Sequence, residues 1–287
     1  MSRWQADLML LVVVIIWGST FITVKNALDW VGPFTFVAIR FWIAGGVLVL
    51  LWLLSRQPSS WPLWRHGLLA GLLLSGGYIT QTIGLQSTSA SKAGFITGMA
   101  VVIVPILAAL LLRDPIGRAV KVGILLAVLG LALMTLRWPL ERLTTGDLWV
   151  LACAFFFAIH IISIAHYAPR HSVLPFATIQ LLTAALVASL MAWQMEANAL
   201  VPPAVAYGAL LFMGLVATAL AFGLQVMAQR HTTATHAALL FALEPVFAAL
   251  FAMGIGGEAM GGREWLGGAL ILAGMLGAEL APLLRRP

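Results

Sequence analysis

Residues Thr233–Met253 read TATHAALLFALEPVFAALFAM, an apolar run interrupted at its middle by Glu244-Pro245. Its length matches the roughly 30 Å hydrocarbon core of a bilayer, so the stretch reads as a membrane-spanning helix. A carboxylate at mid-membrane is costly unless it is protonated, paired or wetted, which makes Glu244 a functional candidate. Pro245 removes a backbone hydrogen bond and is expected to break or kink the helix where it stands.

The composition extends this reading to the whole chain. Hydrophobic residues make up 62% and charged residues 9%, with a mean hydropathy of +1.02. Soluble domains do not have such values. Apolar runs bounded by charge, Pro or Gly/Ser clusters fall near 7–28, 34–54, 65–86, 91–112, 118–137, 147–167, 174–195, 204–229, 233–254 and 264–284, predicting ten transmembrane helices and no soluble domain. The run after Asp7 has full span length and no small-residue cleavage site follows it, so it reads as a retained helix rather than a leader. Cys153, the single cysteine, allows no intramolecular disulfide and no cysteine metal site. The basic balance is assigned to loops rather than to nucleic-acid binding.

Counting basic residues loop by loop sets the orientation. One side gathers Arg3, Arg56, Arg65, Arg113, Arg118, Lys121, Arg170, Arg230, Arg285 and Arg286; the other gathers Lys25, Lys92, Arg137, Arg142 and Arg263. The positive-inside rule then predicts that both termini are cytoplasmic and favours an even number of spans. Trp4, Trp30, Trp61, Trp64 and Trp138 fall near span ends, where interface anchors belong.

The chain also repeats itself. Pro33-Phe34 matches Pro175-Phe176, Val104-Pro105 matches Glu244-Pro245, Asp114 matches Glu258, and Gly123 with Gly130 matches Gly267 with Gly274. The order is the same and the spacing nearly so, and each glycine pair lies seven residues apart on one helical face. Two five-helix halves, 1–138 and 139–287, account for this. Five being odd, the second half must enter the membrane from the opposite side, as an inverted repeat. The glycine faces read as close helix packing.

These landmarks carry a resemblance. Trp17-Gly18-Ser19, Arg40-Phe41, the segment from Gly84 to Thr97, Pro105, and Leu243-Glu244-Pro245-Val246-Phe247 followed by Glu258 and the Gly267/Gly274 face are together similar to the drug/metabolite transporter superfamily, in its ten-helix EamA-type exporter group. The likeness covers nearly the whole chain. It implies an all-α integral membrane fold whose two halves rock around a central cavity lined by helices 1, 3, 4, 6, 8 and 9. It further implies kinship with bacterial inner-membrane exporters of amino acids, aromatic ones included.

Helical faces give the cavity residues independently. Tyr78 and Gln81 lie on a polar-aromatic stripe of the third span, and Trp17 and Thr20 on one face of the first. Thr97 stands on a small-residue face of the fourth; Phe157 precedes His160 by a turn in the sixth; Thr218 and Phe222 share a face of the eighth, His236 and Glu244 a face of the ninth. These are the candidate substrate-binding residues, with Pro105 and Pro245 as hinges. His160 reads as a satisfied bundle histidine, a substrate contact or a proton relay. Arg40 reads as snorkelling or bonded to a carbonyl in preference to a substrate ligand. Glu244 reads as a cap for the carbonyl that Pro245 leaves free or as a group that titrates during the cycle.

No zinc helix, Gly-rich phosphate loop or nucleophile elbow occurs, so neither an enzyme nor a cofactor is expected. Without a phosphate loop, movement of solute must be a uniport, an exchange or driven by an ion gradient. The expected function is alternating-access export of small amphipathic metabolites, foremost neutral and aromatic amino acids, across a bacterial inner membrane. Drugs, purines or nucleotide sugars are the alternative cargo; a lipid-modifying membrane enzyme or a non-transporting subunit is the alternative class. Membrane lipid is the only other partner implied, and the oligomeric state stays open.

Overall fold

The computed structural model describes residues 1–28, 30–88, 90–113, 116–136, 143–196, 206–256 and 261–284, and these are helical with short connections. In chain order the helices are α1 (Arg3–Leu28), α2 (Pro33–Ser55), α3 (Trp61–Leu85), α4 (Ala90–Gly98), α5 (Ala100–Leu112), α6 (Arg118–Thr135), α7 (Thr145–Tyr167), α8 (Val173–Met195), α9 (Ala206–Gly214), α10 (Ala221–Gln229), α11 (Ala234–Phe241), α12 (Glu244–Gly256) and α13 (Gly262–Leu284). Among the described residues, seven helical stretches are long and apolar enough to cross a membrane: Pro33–Ser55, Trp61–Leu85, Ala93–Leu112, Thr145–Arg170, Val173–Met195, Tyr207–Gln229 and Ala234–Phe251. Asp114, Glu258, Trp138, Arg137, Arg142, Arg285 and Arg286 lie outside the described residues, as do the side chains of Lys25 and Lys92.

Helix ends are closed by their own sequence. Ser60 accepts from the Leu63 N–H at the start of α3, Thr233 from the His236 N–H at the start of α11, and Thr144 and Asp147 form a reciprocal capping box on α7. α2 is capped from a distance. The Glu196 carboxylate just past α8 accepts from the N–H groups of Phe34 and Thr35 at 2.7 and 2.8 Å and from the Thr35 hydroxyl at 2.6 Å. A negative group on the orphan donors of a helix start satisfies them and complements the macrodipole.

The proline positions correct an expectation. Neither Pro105 nor Pro245 is itself the break. α5 runs through Pro105, and the interruption sits upstream at Met99; α11 stops at Phe241, and Pro245 lies in the first turn of α12. A proline ring crowds the carbonyl four residues back and restricts the residue before it, which places the end of α11 at Phe241, four residues before Pro245; Met99 lies six residues before Pro105, outside that reach. A further irregularity was not expected at all: between α9 and α10, residues Leu215–Leu220 wind as a π-helix.

α2 packs on α8, α3 on α7 and α8, α1 on α10 and α12, and α6 on α13. The α6–α13 contact rests on the glycine pairs. A Cβ on Gly123 would stand 2.6 Å from the Gly274 carbonyl oxygen, one on Gly274 would stand 2.6 Å from that of Gly123, and Gly130 and Gly267 oppose each other in the same way. The backbones therefore touch, as small-residue membrane interfaces allow. Gly274→Leu forces these helices apart and should lower stability by about 1–3 kcal/mol. Gly277, on the same helix, faces open space, so Gly277→Leu should be neutral. Thermal unfolding of the detergent-solubilised variants checks this; equal midpoints would contradict the packing.

Candidate functional site

The middle of the molecule is aromatic. Phe222 of α10 is 2% exposed, and its ring lies 5.3 Å from Trp17 of α1, 6.2 Å from Phe41 of α2, 6.5 Å from Tyr78 of α3 and 6.2 Å from His160 of α7, centroid to centroid. Phe157 stands edge-on to Tyr78 at 5.5 Å, and Phe241, the last residue of α11, lies 5.5 Å from Trp17. Tilted and edge-to-face rings at such separations attract beyond their burial. Glycines make room for them: a Cβ on Gly76 would meet the Phe156 ring at 2.6 Å, and one on Gly77 would overlap the ring of Phe157.

Within this aromatic group lies a charge. Arg40 is 4% exposed. Its guanidinium carbon stands 5.0 Å from the centre of the Tyr78 ring and 5.6 Å from that of Phe41, cation–π distances that count for more where water is excluded. Its Nε donates to the Thr218 hydroxyl oxygen at 3.0 Å. Thr218 donates its own proton to the Met213 carbonyl at 2.7 Å, five residues back, so its lone pairs are free for the arginine. That i−5 reach is made by the π winding of Leu215–Leu220. Trp17 reads the same segment, donating from Nε1 to the Ala217 carbonyl at 3.0 Å. No carboxylate among the described residues pairs with Arg40.

His160, 2% exposed, has Nε2 at 2.9 Å from Gln180 Oε1. A ring proton on Nε2 would donate to that amide oxygen, which can only accept. Gln180 Nε2 is buried without a partner. Glu244 is half-buried in the first turn of α12, where a carboxylate suits the helix start. No cation among the described residues pairs with it.

The structure thus brings together Trp17, Tyr78, Phe157, His160, Thr218 and Phe222. Thr20 serves the backbone, donating to the Trp17 carbonyl at 2.7 Å. Gln81 is half-buried a turn beyond Tyr78. The Thr97 hydroxyl is buried without a full hydrogen bond, in reach of the Cys153 thiol. His236 is not part of the aromatic group. Its Nε2 lies 2.7 Å from Asp7 Oδ1 and its Nδ1 accepts from Arg3 at 3.2 Å, tying α11 to the start of α1. Phe41 and Phe241 were not among the candidate residues, and Arg40 was read as snorkelling or bonded to a carbonyl in preference to a substrate ligand. For Arg40 the signal was present, a cation two turns inside an apolar span. Phe41 and Phe241 carry none, since an apolar ring in a membrane helix reads as lipid-facing or core alike.

Known proteins bear on this arrangement. The model of the EamA-like transporter family matches twice, over residues 4–136 and 144–279. An uncharacterized transporter of Archaeoglobus fulgidus is 34% identical over 279 residues, spanning 96% of this chain and 86% of the relative. An uncharacterized transporter of Synechocystis is 26% identical across 93% of this chain and 88% of its own length. A shorter match, 40% identical over 88 residues and 29% of this chain, is to an S-adenosylmethionine/S-adenosylhomocysteine transporter of Chlamydia muridarum, of which it covers 27%. One solved crystal structure shares the fold with a TM-score of 0.82, covering 99% of this chain and all of the other at 24% identity. With a helical membrane architecture, a family match on both halves and a relative one-third identical along almost the whole length, this chain belongs to the EamA-like transporter family.

Proposed function

We propose that this transporter exports neutral and aromatic amino acids across a bacterial inner membrane by alternating access, as a uniporter or with protons. The observation that carries the substrate class is Arg40, a buried guanidinium over the rings of Tyr78 and Phe41 with no acidic partner among the described residues. A cation so placed suits a ligand carboxylate, which a guanidinium grips bidentately. The surrounding rings suit a flat apolar side chain, and Glu244, in the first turn of α12, suits the ammonium group. Trp17, Thr20, Tyr78, Gln81, Thr97, Phe157, His160, Thr218 and Phe222 make up the proposed lining; Pro105 and Pro245 stand beside the breaks that act as hinges, and His236 contributes through its tie to α1.

The proposed architecture is ten membrane helices in two inverted halves, 1–138 and 139–287, with both termini cytoplasmic. The packing supports it. A twofold exchange of the halves carries α2 onto α8, α6 onto α13, α3 onto the α9–α10 stretch, and α1 onto α7. The observed α2–α8 and α6–α13 contacts map onto themselves, and α3–α7 maps onto the observed contact of α10 with α1. Reporter fusions at both termini should read cytoplasmic; a periplasmic C-terminus would remove the inverted repeat.

A second cargo is favoured by the local match to the S-adenosylmethionine/S-adenosylhomocysteine transporter: a purine-bearing amino acid would use the same carboxylate anchor and ring stack. Uptake of labelled amino acids and nucleosides into liposomes holding purified protein separates the two. Arg40→Gln should lower phenylalanine transport at least about tenfold, the worth of one charge-assisted pair, while Arg40→Lys restores part of it. Unchanged transport in a folded Arg40→Gln protein would refute the anchor. Glu244→Gln distinguishes coupling from structure: if Glu244 carries protons, the variant loses transport driven by a pH gradient yet retains exchange at equal concentrations. Normal gradient-driven transport would exclude it as the coupling site.

A further inference from the structure

Away from the aromatic centre, a groove of about 1000 Å³ opens on the flank of the molecule between α2, the start of α8 and the α9–α10 stretch. Its length along that stretch, from Leu215 to Arg230, is about 22 Å at the helical rise, more than half the hydrocarbon thickness. Leu48 and Ala219 are buried at its floor, whereas Leu51, Leu215, Leu220 and Met227 remain substantially exposed along it. At Gly223 a Cβ would meet nothing within 4 Å, so the groove is open there to its floor.

One end differs from the rest. Arg170, in the turn between α7 and α8, and Arg230, which follows α10, both line the groove at the end where the basic connections gather. Neither pairs with a carboxylate among the described residues. His171 lies beside them, 2.8 Å from His66. Its burial and the nearby Arg170 charge hold its pKa below the ordinary histidine value, so the two arginines carry the charge there. Gln57 adds a buried, unbonded side-chain oxygen, and its backbone is held by a hydrogen bond from Trp52 Nε1 at 2.8 Å.

We propose that this groove is a binding site for an anionic phospholipid, with the headgroup phosphate between Arg170 and Arg230 and an acyl chain lying over Gly223 toward Leu215. Charge complementarity selects the occupant. An apolar channel open to the bilayer along its side accepts any acyl chain, but two guanidiniums with no carboxylate partner among the described residues, Arg170 over the Tyr167 ring at 5.9 Å, reward a negative lipid over a zwitterionic one, by about fivefold for each basic residue at an anionic surface. Guanidinium also suits phosphate geometry better than a point charge does. The site is separate from the aromatic centre and does not depend on which solute is carried.

Native mass spectrometry of the purified full-length protein, with phosphatidylglycerol and phosphatidylcholine of identical chains in competition, tests the assignment. The wild-type protein should retain phosphatidylglycerol preferentially, by tenfold or more. The double variant Arg170→Ala/Arg230→Ala should lose that preference while still holding lipid. Gly223→Leu, whose new side chain enters open space, should lower retention of both lipids. Equal retention of the two lipids by the wild-type protein would overturn the proposal, as would a preference that survives the double substitution. Retention unaffected by Gly223→Leu would overturn the placement of the chain. The Gly223 variant keeps the placement testable if the arginine variant fails to fold.

Discussion

A hydrogen bond between two buried side chains organises the centre of this molecule: Arg40 Nε to the Thr218 hydroxyl. A guanidinium inside the hydrocarbon region is tolerated only if its surroundings replace water. Here they do so through specific local geometry. The π winding of Leu215–Leu220 lets the Thr218 proton reach the Met213 carbonyl, which turns the oxygen's lone pairs toward the arginine. The same winding presents the Ala217 carbonyl to Trp17. The rings of Tyr78 and Phe41 then cover the charge from their faces. A single irregular turn thus carries both the hydroxyl that accepts from the cation and the carbonyl that accepts from the Trp17 ring.

Two kinds of packing hold this centre in place. At the periphery α6 and α13 are joined backbone to backbone by facing glycines, an arrangement with little latitude for sliding. Around the centre the helices are interrupted, at Met99 between α4 and α5 and at Ala242-Leu243 between α11 and α12. Broken helices leave backbone groups free beside a cavity or a moving contact, which is where transporters place them. The contrast between a tight outer pair and interrupted inner helices is in keeping with the alternating access proposed above. Glu196, reaching from the end of α8 to the start of α2, ties these two helices together.

Much of this was legible in the chain. The Thr233–Met253 stretch announced a membrane helix with an interruption, and the seven-residue glycine spacing announced a close helix pair, because hydropathy and a 3.6-residue period are properties of local sequence. Trp17, Tyr78 and Phe222 could be assigned to inward faces for the same reason. What was not legible depends on contacts far apart in the chain or on hydrogen-bond registers that no periodicity encodes. Nothing local in Leu215–Leu220 signals a π turn. His236 lay on the same helical face as Glu244, yet its partner Asp7 comes from the opposite end of the sequence. The breaks were placed on the prolines themselves, whereas the steric conflict of a proline is with the turn before it.

The central claim is that Arg40 anchors a ligand carboxylate within the aromatic group. Isothermal titration of the purified full-length protein with L-phenylalanine and with 2-phenylethylamine, which has the same ring and amine but no carboxylate, tests it most directly. The account predicts that removing the carboxylate weakens binding by at least about tenfold, the cost of one charge-assisted pair, and that Arg40→Gln reduces phenylalanine binding to the level of the amine. Equal affinity for the two ligands in the wild-type protein would contradict it.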